Sequence, residues 1–291
     1  MRAGAPVTPA ETHWPAPAKL NLFLHVVGRR ADGYHELQTL FQLIDLADTV
    51  GITLRDDGRI ERPGGTYGVA AEDDLAVRAA RALQAATGCR AGADLRIAKR
   101  IPLGGGLGGG SSDAATVLLA LNSLWDCGLS VAELAALGLP LGADVPVFVK
   151  GFSAWAEGVG EQLTPVELPE AWYVIVHPGV TVSTAGIFQS TELTRNSPLI
   201  TIRAFFDSGG RNDCEPVVRS RVPEVADALN WLAQYAPARL TGTGACVFAA
   251  CASAIDAERL AARVPQRWTS YVTRGLNRSP LHELLWPARR G

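Results

Sequence analysis

A run of six glycines within seven residues constrains this chain more than any other feature. The run lies in the segment PLGGGLGGGSSDAA, residues 102–115, which follows a strand-like stretch and continues into a strongly helical one. Glycine permits backbone conformations that other residues avoid, so several N–H groups can point toward one centre. The N terminus of the next helix adds partial positive charge. The segment therefore predicts a phosphate-binding loop, with a helix that begins at Ser111 or Ser112. Either serine is expected to cap the helix or to bind a phosphate or metal.

Other nucleotide-binding loops match the segment less well. Gly104, Gly106 and Gly109 satisfy the pattern GxGxxG of dinucleotide-dependent oxidoreductases, but no carboxylate lies about 20 residues further on, where Leu129 stands. A P-loop NTPase needs Gly-Lys-Ser/Thr, whereas Ser111 directly follows the last glycine. The HRD loop of protein kinases is absent from the sequence. The structural alternative is that the glycines form a flexible hinge or allow close packing. Glycines directly before the start of a helix are, however, atypical of a linker.

The composition is that of a globular chain. Of the 291 residues, 47% are hydrophobic and 19% are charged, which favours one large domain or two modest ones. The formal net charge of −2 provides no basic field, so we expect no nucleic-acid partner. The five cysteines lack CxxC spacing and the histidines lack ligand spacing, so we assign no disulfide and no protein metal site. Neither a leader peptide nor a membrane-spanning stretch is visible, which predicts a cytoplasmic protein without a membrane partner.

Hydrophobic periodicity predicts the elements of the first half. Alternation favours strands from Ala18 to Gly28 and over residues 40–54. Helical spacing after Asp74 predicts a helix that stops at Gly88. The segment LGADVPVFVKG leads into another strand.

The character of the chain changes after Gly160. A strand-like WYVIVHPG, a helix PEVADALNWLAQYA, a helix near 255–263 and a last strand around Tyr271 follow. Strands and helices mixed without regular alternation predict an α+β fold. We expect an N-terminal domain over 1–160, with a loose extension over 1–13, and a C-terminal domain over 161–291.

The glycine segment resembles the phosphate-binding motif of the GHMP kinases, the superfamily of galactokinase, homoserine kinase, mevalonate kinase and phosphomevalonate kinase. Three further stretches, PAKLNLFLHVVGRRADGYHEL, LGADVPVFVKG and RLTGTGACVFA, resemble the branch that phosphorylates a cytidine-diphosphate-linked methylerythritol in the non-mevalonate route to isoprenoids. HPGV, NDCEPVV and GLNRSPLH fit as well. The resemblance covers nearly the whole chain after the extension. It implies a two-domain GHMP-kinase-like fold, with ATP bound by the N-terminal domain and the substrate side formed by the C-terminal one.

Two residues are implied as catalytic. By itself, Asp144 is a lone acid among apolar residues that could act as a base or cap a helix, and Lys19 is a typical solvated strand lysine. The resemblance implies that Asp144 takes the proton of the substrate's 2-hydroxyl and that Lys19 is its charge partner. It also implies direct transfer from ATP, with Mg²⁺ and without a phosphoenzyme.

The resemblance implies the binding residues as well. Tyr34 and His35 would form a cytosine site, with Phe188 on its other side, Thr184 nearby and Asn21 toward the erythritol part. One position departs from the family, because Asp74 stands where related kinases often have an asparagine that contacts adenine, and Asp cannot donate that hydrogen bond. The implied ATP-binding residues are Pro102, Leu103, Gly104, Gly105, Gly106, Leu107, Gly108, Gly109, Gly110, Ser111 and Ser112, with Lys99 near the adenine.

Two alternatives stay open. Another GHMP kinase, acting on homoserine, mevalonate or a sugar, would share the phosphate loop, but the stretch ADGYHEL has no purpose in such an enzyme. A nucleotide-binding regulator without catalysis would share the fold, and the presence of Lys19 and Asp144 disfavours it. A monomer and a homodimer are equally compatible with the sequence.

Overall fold

A computed structural model describes residues 10–31, 33–64 and 68–287, so residues 1–9 of the predicted extension lie outside the described part of the chain. The strands are β1 (Thr12–Arg29), β2 (His35–Arg55), β3 (Ile60–Glu61), β4 (Gly92–Ala98), β5 (Ala154–Glu157), β6 (Gln162–Pro165), β7 (Trp172–His177), β8 (Ala238–Leu240), β9 (Val247–Cys251) and β10 (Thr269–Leu276). The helices are α1 (Leu75–Thr87), α2 (Gly109–Leu124), α3 (Val131–Gly138), α4 (Val145–Lys150), α5 (Thr184–Phe188), α6 (Ile202–Ser208), α7 (Glu215–Arg221), α8 (Pro223–Leu232), α9 (Ala254–Ala261) and α10 (Pro280–Leu285).

The strands of the described residues form one ten-stranded sheet around the long strand β2. The order along the sheet is β3-β4-β2-β10-β7-β9-β8, while β1 and β5 also pair with β2, and β6 pairs with β5. The pairings are antiparallel except for that of β3 with β4. The register of β1 and β2 places Lys19 opposite Leu43 and Asn21 opposite Phe41. Because residues two apart share a face of a strand, Lys19 and Asn21 project to the same side.

Apolar side chains of the described residues form two large cores and two smaller clusters. The first core, around Leu118, packs α1, α2, α3 and α4 against β2 and β4. The second, around Leu229, packs α7, α8 and α9 against β7 and β9. One of the smaller clusters contains Leu107 of the glycine segment together with Ile101 and Phe248. One apolar residue thus anchors the glycine segment where the two halves of the chain meet.

The helix predicted after Asp74 is confirmed with both of its end signals. Asp74 caps α1 by accepting a hydrogen bond of 2.9 Å from the N–H of Ala76, and Gly88 ends the helix at φ +68°. The strand predicted from residue 18 is longer than expected, since β1 begins at Thr12. Residues 12 and 13 therefore belong to the sheet and not to a loose extension, because β2 is long enough to pair with them.

Two of the helices that the sequence-based prediction missed pack in the first core. The segment VPVFVK forms α4, although its alternating valines are typical of a strand. Pro146 lies in the first turn, where proline is tolerated, and every apolar side chain from Val145 to Val149 is buried. The expected strand follows as β5. The second helix is α10, capped by the hydroxyl of Ser279. No helix among the described residues combines the length and apolar character needed to cross a membrane.

The domain boundary at residue 160 stays a prediction. Two elements from beyond it join the first half, since β10 pairs Gly275 with Ile44 and Leu276 with Leu43. Leu281 of α10 lies in the first core. The two halves are therefore connected by main-chain hydrogen bonds as well as by side-chain packing.

Candidate active site

The glycine segment forms a tight loop between β4 and α2. Gly104, Gly106 and Gly108 have positive φ angles of 65°, 75° and 75°, a region that favours glycine. A Cβ atom at Gly106 would lie 2.2 Å from the carbonyl oxygen of Thr241, and one at Gly108 would lie 2.9 Å from the ring of Phe148. Backbone conformation and packing therefore both require glycine at these two positions.

The helix after the loop begins at Gly109, so the predicted start at Ser111 or Ser112 is wrong. The left-handed conformation of Gly108 turns the chain into the helix, and no side chain caps the first turn. The hydroxyl of Ser112 instead donates a buried hydrogen bond of 2.6 Å to the carbonyl oxygen of Pro17. Ser111 lines the adjoining cavity. An uncapped helix N terminus presents free N–H groups, which suits an anion.

A second glycine loop, TGTGA after β8, supports the first. The carbonyl oxygens of Gly104 and Gly105 accept hydrogen bonds of 3.0 and 3.1 Å from the N–H groups of Ala245 and Cys246. These contacts come from the C-terminal half of the chain. The shape of the phosphate loop therefore depends on both halves.

Lys19 lies at the centre of the site. Its Nζ lies 2.6 Å from Asn21 Oδ1, 3.0 Å from the carbonyl oxygen of Gly106 and 3.2 Å from Asp144 Oδ2. It also lies 5.3 Å from the centroid of the Phe41 ring, within reach of a cation–π contact. The Lys19 side chain is 3% exposed and the Asp144 side chain 33% exposed. Although Asp144 precedes α4, its carboxylate makes no capping bond, so Lys19 orients it toward the cavity.

Two cavities adjoin each other beside Asp144. The first, which we call the loop cavity, has a volume of about 420 Å³ and is lined by the glycine segment, Lys19 and Asp144. The second, which we call the aromatic cavity, has a volume of about 680 Å³ and is lined by Tyr34 and His35 among others. Both cavities are lined by Leu37, Ala143, Val159, Thr184 and Phe188. Because the cavities share this wall, a ligand in one cavity can meet a ligand in the other near Asp144.

The aromatic cavity combines flat rings with positive charge. The ring centroids of His35 and Phe188 are 5.1 Å apart with an angle of 30° between the planes, and Tyr34 is 64% exposed. Arg29 and Arg195 also line this cavity. Burial, Arg195 and Arg29, in that order, lower the pKa of His35 below its ordinary value. These walls suit a ligand with an aromatic ring and negative charge.

Known proteins are similar to this chain in sequence and in fold. The family description "GHMP kinases N terminal domain" matches residues 74–152, and "GHMP kinases C terminal" matches residues 192–270. The 4-diphosphocytidyl-2-C-methyl-D-erythritol kinase of Halorhodospira halophila is 57% identical over 280 residues, which cover 95% of this chain and 97% of that protein. The protein of the same name from Aromatoleum aromaticum is 58% identical over 267 residues, with coverage of 92% and 94%.

The chain belongs to the 4-diphosphocytidyl-2-C-methyl-D-erythritol kinase family. A crystal structure of 4-(cytidine 5'-diphospho)-2C-methyl-D-erythritol kinase agrees, with a TM-score of 0.79, 34% identity and coverage of 91% of this chain and 100% of that one. The predicted GHMP-kinase fold is thereby confirmed, and the chain is an ATP-dependent small-molecule kinase.

In this kinase, Lys99 belongs to a buried charge cluster. Its Nζ contacts the carboxylate of Asp48 and lies 2.8 Å from Asp113 Oδ2. Asp48 also accepts hydrogen bonds of 2.6 and 2.8 Å from the N–H groups of Arg100 and Ile101. Because Asp113 lies in α2, the cluster ties the chain before the glycine loop to the helix after it. Lys99 also lines the loop cavity, and its contact with adenine stays a prediction.

The carboxylate of Asp74 is occupied by contacts within the kinase. Besides capping α1, its Oδ2 lies 3.2 Å from Nη1 of Arg62, and both side chains are almost fully buried. The carboxylate at this position is therefore neutralised by an arginine of the same chain.

Sequence patterns missed the residues that hold this site together. Asp48 and Arg195 lie in a strand and a loop outside the motifs that we recognised, while Asp113 belongs to the glycine segment but was given no role there. One signal was available for Asp48, because it shares a strand face with the apolar Leu46 and Val50. A carboxylate at such a position needs partners, since burying an unpaired charge is very costly.

Replacing Gly106 by alanine should destabilise the loop, because the alanine would be left-handed and its Cβ would overlap Thr241. We expect Gly106→Ala to lower the free energy of unfolding by about 2 kcal/mol or more. Gly110→Ala is the matched control, since its Cβ would lie 3.7 Å from the Leu75 side chain, an ordinary contact. Chemical denaturation measures both values. Equal stabilities for the two variants would contradict this reading of the loop.

Asp113 should make stability depend on pH. Burial raises its pKa from 3.8 to about 7, against the opposing effect of Lys99. A carboxyl group whose pKa is higher in the folded chain than in the unfolded chain stabilises the fold most at low pH. This stabilisation is lost as the pH rises toward the pKa of the folded chain. We expect the stability of the wild type, relative to Asp113→Asn, to fall between pH 4 and about 7. Denaturation curves at four pH values test this, and parallel curves for both proteins would disprove it.

Proposed function

We propose that this kinase transfers the γ-phosphate of ATP to the 2-hydroxyl of 4-diphosphocytidyl-2-C-methyl-D-erythritol, in the non-mevalonate route to isoprenoids. The observation that carries the proposal is the junction of the loop cavity and the aromatic cavity beside Lys19 and Asp144. One cavity suits phosphates and the other suits an aromatic anion. The relatives that are 57% and 58% identical are named for this substrate, which supports its choice.

The triphosphate of ATP would bind to residues 102–112. The N–H groups of the loop and the uncapped N terminus of α2 offer partial positive charge to the phosphate oxygens. Because the loop is made of glycines, the phosphates can approach the backbone closely. Lys19 contacts the loop at the Gly106 carbonyl oxygen, which sets its ammonium next to the terminal phosphate.

Asp144 is the proposed base. Its carboxylate takes the proton of the 2-hydroxyl while that oxygen forms a bond to the γ-phosphorus. The bond from phosphorus to the bridging oxygen breaks, and ADP leaves, so no phosphoenzyme is formed. Lys19 orients the carboxylate through the 3.2 Å contact and offsets the negative charge that develops on the phosphoryl oxygens.

The site fits a magnesium ion that arrives with ATP better than a resident metal. The described residues contain no group of three or more His, Cys, Asp or Glu that would hold a metal. Mg²⁺ commonly takes one or two protein oxygens together with substrate phosphates and water. The cleft offers the Ser111 hydroxyl for this purpose, while the Asp144 carboxylate is assigned to the proton. The bound ion would offset the charge of the phosphates.

The aromatic cavity would bind the cytidine diphosphate part of the substrate. Tyr34 and Phe188 would stack on the two faces of the base, and His35, whose ring contacts that of Phe188, would hydrogen-bond to the edge of the base. Thr184, on the shared wall, would lie near the diphosphate. Asn21 lines the loop cavity, and its amide is already hydrogen-bonded to the Lys19 ammonium and to a threonine hydroxyl. We therefore assign Asn21 to orienting that ammonium beside the erythritol part.

Release of ADP from ATP and Mg²⁺ tests the proposal directly. The reaction is run with 4-diphosphocytidyl-2-C-methyl-D-erythritol and, in parallel, with homoserine, mevalonate and galactose. We expect turnover with the cytidylyl substrate alone. Turnover with one of the other alcohols would show that the protein is a GHMP kinase with a different substrate. No turnover with any of the four, in a protein that still binds ATP, would favour a nucleotide-binding regulator.

Asp144→Asn should lose catalysis with little loss of stability. A positioned base contributes about 10²- to 10⁴-fold to the rate, so we expect kcat to fall within this range. Because the carboxylate makes no capping bond, and Lys19 keeps its bonds to Asn21 and Gly106, the melting temperature should fall only slightly. Asp56→Asn, in an exposed turn, is the matched control and should leave kcat unchanged. Near-normal turnover by Asp144→Asn would show that another group takes the proton.

A further inference from the structure

Arg195 connects two walls of the aromatic cavity. Its Nε donates a hydrogen bond of 3.0 Å to Nε2 of His35, at the start of β2. Its Nη1 donates to the carbonyl oxygen of Leu193 at 3.1 Å. Its Nη2 donates to the carbonyl oxygens of Phe188 and Ser190, at 2.8 and 2.6 Å. The guanidinium therefore holds His35 against the segment that follows α5.

The contact with Arg195 determines which nitrogen of His35 carries the proton. A guanidinium has five N–H donors and no acceptor, so Nε2 of His35 must accept with its lone pair. In a neutral imidazole the proton then lies on Nδ1. Arg195 and Arg29 disfavour a second proton on the ring, in agreement with the lowered pKa of His35. His35 is thus a neutral ring whose remaining polar atom is a donor.

A donor at Nδ1 distinguishes between pyrimidine bases. Cytosine has an unprotonated N3 that accepts a hydrogen bond, whereas uracil carries a proton on N3 and would oppose another donor. The opposite tautomer of His35 would reverse this preference. The identity of the base accepted in the aromatic cavity therefore depends on the tautomer.

We infer that Arg195 is a positioning residue that fixes His35 with its proton on Nδ1 and thereby makes the aromatic cavity prefer cytosine to uracil. The inference rests on the proposed function, in which this cavity binds the cytidine part. It adds a residue that the sequence motifs did not contain. Arg195 acts through His35 and not on the reacting atoms.

The tautomer is measured in the wild-type kinase without any ligand. Nitrogen-15 NMR of the imidazole rings distinguishes protonated from unprotonated nitrogens, and the signals of His35 are assigned by their absence in His35→Asn. We expect the proton on Nδ1 in the wild type and a shift toward Nε2 in Arg195→Met. A proton on Nε2 in the wild type would overturn the inference, whether or not the variant folds.

Binding of CDP and UDP, measured by calorimetry, tests the consequence for specificity. We expect the wild type to prefer CDP and Arg195→Met to reduce that preference about tenfold, the effect of one lost hydrogen bond. Arg195→Lys keeps a positively charged donor without an acceptor and should retain part of the preference. Arg221→Met is the matched control, because Arg221 bonds to the Ser190 hydroxyl in the same segment without contacting His35.

The outcomes separate this inference from the proposed function. An unchanged preference for CDP in Arg195→Met, whatever its melting temperature, would overturn the role of Arg195 and leave the cytidine site standing. Equal binding of CDP and UDP by the wild type would overturn both. An equal loss of preference in Arg221→Met would also overturn the inference, because it would attribute the effect to the segment and not to the tautomer.

Discussion

The site depends on one buried ammonium. Lys19 lies among three oxygen acceptors, one from its own strand, one from the glycine loop and one from the turn before α4. A buried lysine needs such partners, because an unpaired charge away from water is strongly disfavoured. In satisfying that requirement, the chain brings β1, the loop and Asp144 to a single point. The oxygen contacts that the buried Lys19 ammonium requires thus also bring together the groups for phosphoryl transfer.

The glycine loop has few side chains with which to hold its own shape, so its neighbours hold it. Leu107 anchors it in an apolar cluster, and the second glycine loop binds two of its carbonyl oxygens. The Lys99, Asp48 and Asp113 cluster joins the two flanks of the loop. A loop that is already ordered by these contacts loses little conformational entropy when a phosphate binds, which is the advantage of preorganisation.

Local signals in the sequence predicted local structure well. Asp74 and Gly88 mark the ends of α1 because capping involves only adjacent residues. The start of α2 was misplaced, since the left-handed turn at Gly108 ends the loop before the serines are reached. The helix α4 has the alternation of a strand, and only its burial on all sides explains its conformation. Lys19 and Asp144 were assigned from a resemblance, while Arg195 had no signal because His35, the partner that gives it a role in the cavity, lies 160 residues away in the sequence.

The strand β10 has a mechanical consequence. It is the second-last element of the described chain, yet it pairs with both β2 and β7 and so lies between the halves of the sheet. A cut at residue 160 would leave the N-terminal piece with an open edge on β2 and without α10 beneath its core. Neither piece would be a finished folding unit, and the kinase becomes complete only when its last strand has been made. During synthesis, the phosphate loop would therefore reach its final conformation only after the C-terminal strand has been made.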